Sequence, residues 1–176
     1  MGGISAALNC GVKKVKLNTV LLGGFNDDEI PAFVELTKDY DIDVRFIELM
    51  PMPDTSLPEE AFLTNSTVLE RVRELEPEGT DGVAQMYRKP GYKGRIGLIS
   101  PISCSFCSEC NRIRLTADGF IKPCLHSKDE LSIKGLHGEE LKNKLSEIIM
   151  LKPKEHPVLD AHNKSESQRD MNKIGG

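Results

Sequence analysis

Residues 15–50, VKLNTVLLGGFNDDEIPAFVELTKDYDIDVRFIELM, decide the fold. Val15 to Leu22 is β-rich and nearly continuous in apolar character, the pattern of a buried parallel strand. Gly23-Gly24-Phe25-Asn26 makes a turn. Asn26 or Asp27 can cap a helix from Asp28 to about Asp39, with acids in its first turn, where the helix dipole favours them. Val44 to Met50 reads as a second strand, closed by Pro51-Met52-Pro53-Asp54 because proline cannot continue a ladder. Strand, helix, strand in this order predicts βα units of an α/β barrel or open sheet, entered partway through.

Outward from this block, Ile4 to Leu8 is a short helical piece ended by Cys10-Gly11. On the other side, Thr64 or Asn65 can cap a helix to about Leu75, with Val68, Leu69, Val72 and Leu75 at helical spacing. Val83–Arg88 and Arg95–Ile99 read as strands joined across the glycine-rich stretch from Pro90 to Gly94. Gly138 to Met150 is the clearest amphipathic helix, with Leu141, Leu145, Ile148 and Ile149 on one stripe. From Lys152 onward the chain is polar and aperiodic, which on its own predicts disorder.

Chemistry concentrates in residues 100–125, SPISCSFCSECNRIRLTADGFIKPCL, which hold four of the five cysteines. Cys104, Cys107, Cys110 and Cys124 suit thiolate ligation of iron–sulfur or zinc, since cysteines three apart on a tight loop can reach one metal. A turn at Ala117-Asp118-Gly119 followed by a short strand, Phe120 to Pro123, would bring Cys124 back. Arg112 and Arg114 fall on one face if they lie on a strand, and two planar guanidinium forks beside a metal suit a phosphate chain. They equally suit the plainer role of offsetting thiolate charge. Lys16 interrupts an apolar strand and Arg45 stands at the start of the next; either an anion meets them or they flank the strand ends in solvent. Met50 by itself reads as core.

The net charge of −4 argues against bulk nucleic-acid binding. No apolar run approaches the ~20 residues that cross a bilayer, and Met1-Gly2-Gly3 does not open a secretory signal. An odd number of cysteines at metal spacing points to a reducing, cytoplasmic setting.

The run FCSECNRIRLTADGFIKPCL, with GLIS and a proline upstream and the terminal Ile174-Gly175-Gly176, closely resembles the carboxy-terminal part of the GTP 3',8-cyclase family of molybdenum cofactor biosynthesis, which are radical S-adenosylmethionine enzymes. The likeness runs from about Val15 to Gly176. It implies the later strands of an incomplete radical-SAM (βα) barrel over residues 1–62, an α+β cluster-binding region over 63–151 and an extended tail over 152–176. It also implies a 4Fe-4S cluster on Cys107, Cys110 and Cys124, with one iron open to the guanine of GTP. Lys16, Arg112, Ile113 and Arg114 become GTP contacts, Arg45 a further substrate contact, and Met50 part of the S-adenosylmethionine site. Gly175 and Gly176 become a tail that supports the active site.

In that family a first cluster, on C-x3-C-x2-C, reduces S-adenosylmethionine; hydrogen abstraction at C3' of GTP then leads to bonding of that carbon to C8. An electron donor is implied as partner, and a homodimer is compatible with the resemblance. This sequence contains no C-x3-C-x2-C, so the chain alone is expected to be inactive. Cys104 is not required by the three-cysteine pattern and reads as a bystander or a fourth ligand. The competing reading is a structural zinc module of a binding protein, with Cys104 or His126 as fourth ligand.

Overall fold

Helix α1 (Gly2–Asn9) leads into strand β1 (Val15–Leu21), and helix α2 (Ile30–Asp39) crosses over to β2 (Ile42–Glu48), in a computed structural model that describes residues 2–53 and 55–174. The two strands pair in parallel, with Val15 opposite Ile42 through Leu21 opposite Glu48. Helix α3 (Ser66–Arg71) and strands β3 (Glu76–Asp81), β4 (Ala84–Arg88) and β5 (Arg95–Ile99) complete one unit, formed by residues 1–49 and 58–105. Its sheet is mixed, in the order β1-β2-β5-β4-β3, with β5 parallel to β2 and the β3-β4-β5 side antiparallel. The fold class is therefore α/β, as the strand, helix, strand pattern predicts.

One face of this sheet carries the core. Leu21, Ile42, Val44, Phe46, Ile96 and Leu98 pack with Ile30 and Val34 of α2 and with Val68, Val72 and Leu75. Phe33 meets Phe46 edge to face at 6.0 Å. The entry to β5 requires glycine: a Cβ on Gly94 would stand 2.1 Å from the Ile42 carbonyl oxygen, and the Gly94 N–H donates to Thr37 O at 2.8 Å.

Several sequence expectations change. β1 is not buried throughout, because it lies at the sheet edge and its residues alternate between half-buried and exposed up to Leu21. β2 begins at Ile42, so Arg45 lies mid-strand. Neither Asn26 nor Asp27 caps α2. Asn26 closes the turn after β1, donating to Val20 O and accepting from Leu22 N, both at 2.9 Å, and Asp27 accepts from Gly24 N at 2.7 Å. α3 stops at Arg71, yet Val72 and Leu75 still reach the core. Asn65 makes no side-chain cap; its amide donates to Ile99 O at 2.9 Å and Ser100 Oγ at 3.0 Å.

The second unit comprises residues 50–57 and 106–176. Strands β6 (Arg114–Leu115), β7 (Phe120–Lys122) and β8 (Leu131–Ser132) form an antiparallel sheet in that order. The expected turn is present: Gly119, at φ +77°, donates to Thr116 O at 3.1 Å, and Phe120 N donates to Thr116 Oγ1 at 2.9 Å. Helix α4 (Gly138–Met150) has the predicted bounds, but its stripe runs through half-buried Leu141 and Leu145 to buried Ile148, and Ile149 is exposed. The segment after Lys152 is ordered by specific contacts. Leu159, Ser165, Ser167 and Ile174, the last on helix α5 (Met171–Ile174), are buried, and Ser165 N donates to Pro51 O at 2.8 Å. Among the described residues, no helix is long and apolar enough to cross a membrane.

Candidate functional site

The sheet face opposite the core of the first unit is charged. Lys16, Asp43 and Arg95 stand side by side in the register of β1, β2 and β5, as do Asn18, Arg45 and Gly97. Asp43, fully buried, accepts two hydrogen bonds from Arg95, at 3.1 and 3.0 Å, and lies 3.0 Å from Lys14. Burial pushes the Asp43 carboxyl up, but the Arg95 and Lys14 hydrogen bonds outweigh it and hold the group below its ordinary value.

Lys16 is exposed and binds Asp81 at 2.8 Å, and Arg45 donates to the same oxygen. Lys16 first, with the charges of Arg45 and Arg95, holds Asp81 below the usual carboxylate range, against the opposing effect of burial. Arg45 lies over Gly97, where a Cβ would come within 2.9 Å of its Cγ. Its Nε is buried and has no hydrogen-bond partner. A buried guanidinium N–H without an acceptor is costly, and an incoming anion would satisfy it. Asp81 itself escaped sequence reasoning, although the Asp81-Gly82 pair between two strands is a hairpin signal.

At the end of β2, buried Glu48 accepts from Asn65 N at 3.0 Å, Ile102 N at 3.1 Å and Ser103 N at 2.9 Å, and from the Ser103 hydroxyl. This carboxylate fixes the segment that runs into Cys104, which is exposed.

In the second unit, Cys107, Cys110 and Cys124 are half-buried, and among the described residues no cysteine is in a disulfide. Cys107–Glu109 is a single 3-10 turn that brings Cys110 N to 3.2 Å from Cys107 O. The pairing of β6 with β7, Arg114 opposite Lys122, extends the hairpin so that Cys124 returns beside the Cys110–Arg112 segment. Lys152 joins the two arms: its ammonium donates to Arg112 O at 2.9 Å and Pro123 O at 3.0 Å and lies 3.5 Å from Cys110 Sγ. Sequence reasoning missed Lys152, which sits just beyond α4 in a stretch without periodicity.

Arg112 and Ile113 precede the strand and are exposed, so the expected one-face arrangement of Arg112 and Arg114 on a strand does not form; only Arg114 lies in β6. Burial first, then the charge of Arg112, holds the Arg114 pKa below its ordinary value, while the nearby Cys110 and Cys124 pull it back up. His126 is buried against Ser165 Oγ at 3.2 Å, with the His156 ring 4.8 Å away. Burial, then the His156 and Arg114 charges, pushes its pKa down to about 4. Met50 is half-buried. Gly175 and Gly176 lie outside the described residues.

The donor set of three accessible thiols on one turn and hairpin, with Arg114 and Lys152 beside them, has the chemistry an iron–sulfur group requires. Among the described residues, no three His, Cys, Asp or Glu side chains form a group suited to one metal ion.

Comparison with known proteins gives a family and several relatives. The family described as Molybdenum Cofactor Synthesis C matches residues 42–158. The chain is 46% identical to a GTP 3',8-cyclase of Alkaliphilus oremlandii over 99% of its own length and 56% of that protein's. It is 48% identical to that of Peptoclostridium acidaminophilum, covering 99% of this chain and 55% of the relative. A GTP 3',8-cyclase of Clostridium botulinum is 43% identical over 98% of this chain and 56% of its own. The chain thus spans about half the length of the curated relatives it matches.

Proposed function

This chain belongs to the Molybdenum Cofactor Synthesis C family, and we propose that it supplies the cluster-bearing, GTP-binding part of a radical-SAM GTP 3',8-cyclase. The mixed sheet of the first unit is read as the later strands of a (βα) barrel. Cys107, Cys110 and Cys124 would hold a 4Fe-4S cluster, which would supply a Lewis-acidic iron with one position open to the substrate base. Each thiolate of such a cluster binds a different iron, so the three sulfurs need not converge on a single ion.

The other roles belong to this chain's own side chains. Lys16 and Arg45 bind substrate phosphate, with Arg45 Nε gaining the acceptor it lacks. Arg112, Ile113 and Arg114 orient GTP on the cysteine-bearing unit, Met50 contributes to S-adenosylmethionine binding, and Gly175-Gly176 complete the active site. An electron donor and a second copy of the chain are the protein partners in this reading, and a reducing cytoplasm suits cysteines that are not in disulfides. The sequence contains no C-x3-C-x2-C, so the chain by itself does not cyclise GTP.

The observation that carries this reading is the gathering of Cys110 and Cys124 beside Arg114, within a family match that spans all three cysteines. The test is anaerobic reconstitution with iron and sulfide. Uptake of about four irons per chain, lost in a Cys107→Ala, Cys110→Ala or Cys124→Ala variant, supports it. A chain that takes one zinc and no iron overturns it in favour of a structural zinc module.

A further inference from the structure

The Lys152 ammonium touches both arms of the cysteine hairpin. α4 ends at Met150, and Lys152 N still donates to Ile149 O at 3.2 Å, so the backbone there is set by the helix end. From that fixed point the side chain reaches back to three acceptors. Arg112 O, at 2.9 Å, lies two residues past Cys110. Pro123 O, at 3.0 Å, belongs to the peptide that joins Pro123 to Cys124. Cys110 Sγ lies at 3.5 Å. An ammonium has three N–H donors, and two carbonyls and a sulfur account for all of them.

A lysine that merely covered surface would leave its head in water. Here the stem is half-buried and the head spans the two segments whose spacing decides whether Cys110 and Cys124 can serve one cluster. Two neutral carbonyls fix where the charge sits, and the charge is then aimed at sulfur, the atom that becomes anionic on ligation.

We propose that Lys152 is a positioning residue of the cluster site: it pins the Cys110 and Cys124 arms at one separation and donates an N–H···S hydrogen bond to the Cys110 thiolate. The proposal rests on the iron–sulfur reading of the three cysteines. Two consequences follow from partners placed behind metal ligands. Such contacts typically contribute ten- to a hundredfold in metal affinity, and hydrogen bonds to ligand sulfur raise a cluster's reduction potential because they favour the more negative, reduced state.

The test compares the wild-type chain with Lys152→Met and Lys152→Arg after anaerobic reconstitution. It reads iron and sulfide per chain, the rate of iron loss to a chelator, and the midpoint potential by EPR-monitored titration. Lys152→Met is expected to lose iron about ten- to a hundredfold faster and to have a lower potential, with Lys152→Arg recovering much of both. A role confined to stabilising the apoprotein would lower the melting temperature of Lys152→Met and leave the potential of its cluster unchanged; that result overturns the proposal. Equal iron retention and equal potential in wild type and Lys152→Met also overturn it, while the cluster reading stands. A wild-type chain that takes up no iron overturns the cluster reading itself, and the role of Lys152 with it.

Discussion

Glu48 accepts a hydrogen bond from the backbone N–H of Ser103 at 2.9 Å, so the buried end of β2 holds the residue just ahead of Cys104. The same carboxylate serves Asn65 N and Ile102 N. Replacing it by Leu would leave these N–H groups in a buried place without an acceptor, at ~1–3 kcal/mol for each group that cannot reach water. Glu48→Leu is therefore expected to lower unfolding stability by about 3 kcal/mol or more in urea titration, with a smaller loss for Glu48→Gln, which keeps one acceptor oxygen. An unchanged midpoint for Glu48→Leu would contradict this role.

Asp118 and Arg169 give a pH prediction. Hydrogen bonds from Arg169 and then Thr116 hold the Asp118 pKa at about 2, below its ordinary 3.8. A depressed carboxyl pKa contributes stability that is present above the unfolded-state value and lost as pH falls through the folded one. Resonances of Asp118 should titrate near pH 2 in the wild-type chain and at a higher pH in Arg169→Ala, where the Thr116 hydrogen bond remains. Since Arg169 also binds Glu130 at 2.7 Å, this variant should loosen the segment from Ser165 to Ile174 in hydrogen exchange. A normal Asp118 titration in the wild-type chain would contradict the pairing.

Asp81 competes with any anion for Lys16 and Arg45. Asp81→Asn keeps the hairpin shape and removes the charge. The expected result is tighter binding of inorganic triphosphate by up to about fivefold at low salt, the equivalent of ~1 kcal/mol for a partly exposed pair. Lys16→Ala should weaken it by a similar factor. Calorimetry that finds Asp81→Asn unchanged or weaker would remove the charged sheet face from phosphate binding.

Much of this fold is legible because hydrophobic period reports burial directly. The β1, α2, β2 block and α4 stand out by that signal. β3 does not, because its sequence, EPEGTD, is acidic and interrupted by Pro and Gly. It exists as an edge strand held by its ladder to β4, with a shift in register between Pro77 and Thr80 that accommodates them. Local capping rules also mislead at Asn26 and Asn65, whose amides satisfy backbone groups outside the helix starts. The segment after Lys152 lacks period because long-range polar contacts order it, from Lys152 itself, Ser165 and Arg169. The cysteine spacing predicts a metal site from sequence alone, but the cations beside the cysteines, apart from the arginines in the motif, depend on tertiary placement.

The most direct measurement is EPR of the reduced, iron-reconstituted chain with and without GTP. The expected result is a cluster signal that depends on Cys107, Cys110 and Cys124 and changes on adding GTP, as it would if one iron were open to the nucleotide. A cluster whose spectrum is the same with saturating GTP, or a chain that binds zinc in place of iron, would contradict the claim that this unit carries the substrate-binding cluster.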